Sequence, residues 1–149
     1  MSEKTITVEL HQQADYRFEI HFEDAMPVVT SDEPAPLGTG LGPSPVHLLC
    51  AAVGNCLSDS LLFAFRKFKQ APEPIRCVVK AEVGRNPQGR MRVLKIDAKM
   101  HLGVTVNQLQ QADRVLSQFE EFCTVTQSVG QGIAIHTCVL DAHGVILKD

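Results

Sequence analysis

Residues 46–57 read Val46-His47-Leu48-Leu49-Cys50-Ala51-Ala52-Val53-Gly54-Asn55-Cys56-Leu57, and the architecture of the chain turns on them. The run is apolar nearly all round, the pattern of a helix that is either buried or spans a membrane. The helical pattern extends to about Lys69. His47, Asn55, Ser58, Asp59 and Ser60 fall inside this only candidate span. An aspartate at the centre of a membrane helix costs about 2.5–3.5 kcal/mol to insert. The expectation is therefore the central spine of a soluble fold, with no membrane partner. Pro45 suits the first turn, the basic Arg66-Lys67-Phe68-Lys69 suits the helix dipole, and Pro72 and Pro74 block continuation.

Upstream, Thr5–Leu10 and Tyr16–Phe22 alternate in the period-2 manner of strands, and Met26–Thr30 makes a third short one. In the second strand Tyr16, Phe18, Ile20 and Phe22 share one face, and Arg17, Glu19 and His21 the other. Ser31–Pro45 is a Pro- and Gly-rich loop. Downstream, Ile75–Val83 and Arg92–Leu102 flank the turn Asn86-Pro87-Gln88-Gly89 and read as a hairpin. Asn107–Phe122 predicts one amphipathic helix, with Thr105 and Gln108 in a capping-box spacing. Ile133–Leu140 alternates as a final strand after Gly130-Gln131-Gly132. Strands, long helix, hairpin, helix and strand in that order give an α+β fold.

The 149 residues suit a single domain, 1–149, with a core of its own. At 44% hydrophobic the chain is not disordered. With one Tyr and no Trp it lacks the aromatic platform that stacks on single-stranded nucleic acid. A net charge of −3 argues against a phosphate backbone as partner. Met1-Ser2-Glu3-Lys4 leads into no apolar signal region, so the expected location is cytoplasmic, where thiols stay reduced.

Five cysteines, an odd number without a C-x-x-C, point away from a disulfide framework and toward buried or redox-active thiols. Cys56 lies midway along the long helix and Cys123 follows the second helix. A redox thiol needs a second thiol to resolve its sulfenic acid, and two separate helices can supply the pair if the fold brings them together. The alternative is that both are small core residues, as buried cysteines commonly are. Cys50, Cys77 and Cys138 read as core. The six histidines are scattered without a ligand pair, so no metal is expected; His47, in the first helical turn, stands out. Asp59, one turn after Cys56, would raise a thiol's pKa, so it must face solvent, be paired, or be offset by a cation. Arg17 is the only arginine before Arg66. It is either a solvated strand charge or the one N-terminal arginine able to stabilise a thiolate.

Gly42-Pro43-Ser44-Pro45, the helix bearing Leu48-Leu49, Ala51-Ala52 and Gly54-Asn55-Cys56, and then Phe122-Cys123-Thr124-Val125-Thr126-Gln127-Ser128-Val129 together resemble the OsmC/Ohr family over nearly the whole chain. The resemblance implies antiparallel sheets wrapped around two long central helices in an intertwined homodimer, with two active sites at the interface. It implies a thiol-dependent peroxidase for organic hydroperoxides in oxidative-stress defence. Cys56 would be peroxidatic and Cys123 resolving, with an external dithiol as reductant and no metal or organic cofactor. The chain departs from the best-characterised peroxidases of the family at Val46, where they carry a Glu after the helix-opening proline. It resembles a divergent branch lacking that Glu. The catalytic Arg–Glu pair is then incomplete, and Arg17 corresponds only loosely to the family arginine. On one straight helix His47 and Cys56 lie about 13.5 Å apart on opposite faces, so a contact between them comes across the dimer or is absent. Two other readings stand beside the peroxidase: thiol chemistry on a non-peroxide substrate, and a non-catalytic module for a hydrophobic small molecule.

Overall fold

Period-2 alternation and a tight turn build the N-terminal sheet. The structure, a computed structural model, describes residues 3–149. They form two compact units, one reaching Leu48 and the other running Leu49–Asp149.

In the first unit β1 (Glu9–Ala14), β2 (Arg17–His21) and β3 (Val29–Ser31) make an antiparallel sheet in that order. Asp15, at φ 48, supplies the left-handed residue of the β1–β2 turn. That turn pairs Glu9 with His21, so β2 offers no partner to Thr5–Val8. The strand expected over Thr5–Leu10 is therefore displaced to Glu9–Ala14. The following loop is organised by Asp32, a buried carboxylate. It accepts the Thr39 hydroxyl at 2.7 Å and the N–H groups of Glu33, Thr39 and Leu41. The Thr39 hydroxyl foremost, aided by these N–H groups against the effect of burial, holds Asp32 below the usual carboxylate range. A side chain at Gly42 would run into the Thr30 carbonyl, which is why the loop needs glycine there.

The long helix α1 (Pro45–Lys67) starts in the first unit and continues through the second. It is long and apolar enough to cross a membrane. Val53, Leu57, Leu61, Ala64 and Phe65 are instead buried in the core of their own chain, with Ile96, Ala98 and Met100. Each of the larger side chains among them is worth roughly 1.5–3 kcal/mol of transfer free energy. The helix ends in a Schellman motif: Lys69, at φ 57, donates to the Arg66 carbonyl, and the Gln70 N–H reaches back to Phe65.

The second sheet has the order β4 (Arg76–Arg85), β5 (Met91–His101), β6 (Ala134–Leu140), β7 (Ile146–Lys148). β4 and β5 form the expected hairpin, its turn closed by the Gly89 N–H on the Asn86 carbonyl at 2.8 Å with Gly89 at φ 78. β5 and β6 pair in parallel, unlike the other neighbours. A parallel pair requires a crossover, and residues 102–133 supply it. The single helix expected over 107–122 is not formed. A 3-10 turn (Val106–Gln108), α2 (Ala112–Gln118) and a second 3-10 turn (Phe119–Phe122) replace it. Gln111, at φ 61, is left-handed and breaks the helical path. The stripe still buries Leu109, Val115, Leu116 and Phe119. α3 (Thr124–Val129) and the short β7 are additions to the order read from sequence. Asp141 ties the start of the crossover to the turn between β6 and β7: its buried carboxylate accepts the N–H groups of Val106, His143 and Val145 at 2.9–3.0 Å.

Gly54 sets how closely α1 lies on the sheet. A Cβ there would stand 2.6 Å from Val79 Cγ2 and 3.4 Å from Cys77 Sγ. Gly54→Val should destabilise the protein by about 1–3 kcal/mol, the usual cost of overpacking, read as a lower urea midpoint at unchanged slope. At Asp141, burial acts to raise the carboxyl pKa, and the N–H donors of Val106, Val145 and His143 outweigh it, leaving the value below the ordinary 3.8. A depressed carboxylate stabilises the fold above its unfolded value and loses that contribution as pH falls through the folded one. Asp141→Ala should therefore lower the melting temperature by several degrees at pH 7, and this gap should narrow as pH drops below about 3.8.

Candidate functional site

Cys56 and Cys123 are far apart in sequence, and their meeting depends on the crossover. Cys56 follows Gly54 on α1, half-buried against the core of the second unit. Cys123 comes at the end of the 3-10 turn Phe119–Phe122, with φ −85 and ψ 97, as the N-cap of α3. Its side chain is fully buried. The Cys123 thiol donates to Thr126 Oγ1 at 2.7 Å, and its sulfur accepts the Thr126 N–H at 3.4 Å. The Cys56 thiol is near enough to Cys123 to raise its pKa. Both are free thiols.

Burial foremost, and then the Cys56 thiol, push the pKa of Cys123 up; the Thr126 hydroxyl and N–H act the other way and are outweighed. Cys123 is thus a neutral thiol at pH 7, held by Thr126 and facing a second sulfur. An oxidised Cys56 would have a thiol in reach with which to condense.

The other candidates lie elsewhere. Cys50 and Cys77 are half-buried beside Gly54, Asn55 and Ser58, on a cavity of about 470 Å³. Cys138 is buried on the outward face of β6. Burial pushes all three thiols up. Asp59 is exposed and its carboxylate accepts the Asn55 amide at 2.9 Å, so among the alternatives left by the sequence it is the solvent-facing one. Arg17 belongs to β2 of the N-terminal unit, whereas both thiols belong to the other. It is half-buried, and its Nε is a buried atom with no hydrogen-bond partner among the described residues.

His47 does local work at the start of α1. The Ser44 N–H donates to His47 Nδ1 at 3.1 Å, and the Ser44 hydroxyl lies 2.8 Å from the same nitrogen. This is a capping box with histidine in the place usually taken by Glu or Gln. Accepting the Ser44 N–H requires an unprotonated Nδ1. No group of three or more His, Cys, Asp or Glu residues able to hold a metal ion occurs among the described residues. Thr126 is the residue of the thiol site that sequence reasoning missed. Its signal was present, since a hydroxyl three residues after a helix-capping cysteine can reach back to it.

Residues 38–137 match the family model described as OsmC-like protein. No curated protein matches the chain. Solved structures resemble it closely in fold. An OsmC-like protein of unknown function from Vibrio cholerae superposes with a TM-score of 0.77 at 18% identity, over 94% of this chain and 100% of that one. An organic hydroperoxide resistance protein OsmC from Legionella pneumophila gives 0.71 at 15% identity, over 93% and 98%. The organic hydroperoxide resistance protein OhrB of Bacillus subtilis gives 0.70 at 12% identity, over 91% and 98%. With two thirds of its length matched by the family model and an α+β architecture shared along nearly all of it, the chain belongs to the OsmC-like family.

Proposed function

We propose that the protein is a thiol-dependent peroxidase that reduces organic hydroperoxides through Cys56 and Cys123. The observation that carries this reading is the juxtaposition of the two free thiols in the second unit. The Cys56 thiolate attacks one oxygen of the O–O bond, leaving Cys56 as sulfenic acid while the departing alkoxide takes a proton and becomes an alcohol. The Cys123 thiol then displaces the sulfenic hydroxyl, forming the disulfide and releasing water. A dithiol reductant of the cell returns both cysteines to thiols by exchange. The Legionella and Bacillus neighbours are both named organic hydroperoxide resistance proteins, which supports a role in oxidative-stress defence.

In this reading the chain works as one domain in the cytoplasm, as an intertwined homodimer with two sites. Large apolar side chains left exposed on the single chain support the dimer, among them Leu10, Met26, Leu41 and Phe63. Arg17 stabilises the Cys56 thiolate; its unpartnered buried Nε supports a guanidinium with an acceptor still to receive. A second reading, thiol chemistry on a non-peroxide electrophile, is favoured by Val46 and by the Ser44–His47 cap. Together they leave no carboxylate after the helix-opening proline to position an arginine.

Mass spectrometry after stoichiometric cumene hydroperoxide or hydrogen peroxide, used separately, should find Cys56 linked to Cys123. Cys56→Ser should lower turnover by at least roughly a hundredfold, as loss of a nucleophile does. In Cys123→Ser, Cys56 should proceed to sulfinic acid. A Cys56 that reacts with iodoacetamide but ignores both peroxides would select the non-peroxide reading. A Cys56 inert to both would leave a hydrophobic-ligand module instead.

A further inference from the structure

The four-stranded sheet has two faces with different chemistry. Cys77, Val79, Ala81, Ile96, Ala98 and Met100 turn inward to the core that holds Cys123. Strand alternation sends Arg76, Val78, Lys80 and Lys99 the other way. There they line an outward groove of about 580 Å³, together with His101, His136 and Ile146, a volume in the range of small-molecule sites.

The charges of this groove do not cancel locally. Its acidic groups are already engaged. Asp97 pairs with Lys95 at 3.2 Å and with His136 Nδ1 at 3.1 Å, and Asp149 takes His136 Nε2 at 2.9 Å. Arg76, Lys80 and Lys99 make no side-chain hydrogen bond or ion pair among the described residues. Moreover, Arg76 stands opposite His101, and Val78 opposite Lys99, in the β4–β5 register. Arg76 and Lys99 are therefore diagonal neighbours of like charge, which oppose one another, while Lys80 stands opposite Asp97. The effect is visible at His101, where burial first and then Arg76 and Lys99 hold the imidazolium below its ordinary range. Between the cations the groove exposes apolar surface: Val78 is 36% and Ile146 59% exposed.

We propose that this groove binds a small amphipathic anion, its carboxylate held by Arg76 and Lys99 and its apolar body laid over Val78 and Ile146. The guanidinium offers paired donors to a carboxylate, and an anion there would relieve the repulsion between Arg76 and Lys99. The site is separate from the dithiol, which lies on the core side of the sheet, and it does not rest on the peroxidase reading.

Octanoate, 1-octanol and inorganic phosphate serve as probes, followed by calorimetry and by backbone amide shifts of the full chain. Octanoate should bind saturably and move the amides of Val78, Lys80 and Lys99. Neutral 1-octanol and phosphate, each carrying half of the chemistry, should bind at least about tenfold more weakly, a difference of 1.4 kcal/mol or more. Lys99→Glu should weaken octanoate by a similar factor without lowering the unfolding midpoint, and Lys99→Arg should retain it. Octanoate should also raise the midpoint at which the His101 ring titrates. Octanol binding as tightly as octanoate would overturn the proposal. So would shifts confined to the surroundings of Cys56 and Cys123, or a Lys99→Glu variant that binds octanoate undiminished.

Discussion

The contact between α1 and β4 at Gly54 is the constraint from which the rest of the second unit follows. Glycine inside a helix costs about 1 kcal/mol relative to alanine. Here its missing side chain lets the helix backbone settle beside Val79 and Cys77. That approach places Leu57, Leu61 and Phe65 in the core. It leaves Cys56 on the flank of the helix, where the buried turn carrying Cys123 can reach it. The thiol pair is thus a product of helix-on-sheet packing rather than of a local cysteine motif.

Two carboxylates do similar work, one in each unit. Asp32 gathers the N–H groups of the loop that leads toward α1, and Asp141 gathers those at the start of the crossover and in the turn between β6 and β7. Each substitutes side-chain oxygens for the missing ladder partners of an irregular segment. Such segments need this, since a buried backbone N–H without an acceptor is costly. The Ser44–His47 cap extends the same logic to the first turn of the long helix.

What the sequence made legible follows the range of the interactions involved. The long helix, the β4–β5 hairpin and the β6 strand rest on periodicity and on Gly89 in its turn, all local signals. The displacement of β1 depends on register with β2, and the breaking of the helix over 107–122 on the left-handed Gln111; neither is written in apolar spacing. The parallel pairing of β5 and β6 escaped the reading for the same reason, because strand direction is decided by how a crossover returns. Of the site, the two cysteines stood out through their setting in a family pattern. Their proximity, the grip of Thr126 on Cys123 and the outward face of Asp59 are tertiary facts.

The parallel β5–β6 pair has a consequence for the order in which the molecule assembles. Cys56 lies on a helix and its packing partner on a hairpin, both built from contacts close in sequence. Cys123 sits inside the crossover that must close before β6 can join β5. Pairings of that kind carry a larger loop-closure entropy and form later than local ones. During synthesis Cys56 therefore exists for a time without its neighbouring sulfur. An oxidant arriving then would meet a lone thiol, and the completed crossover is what turns that thiol into one half of a pair.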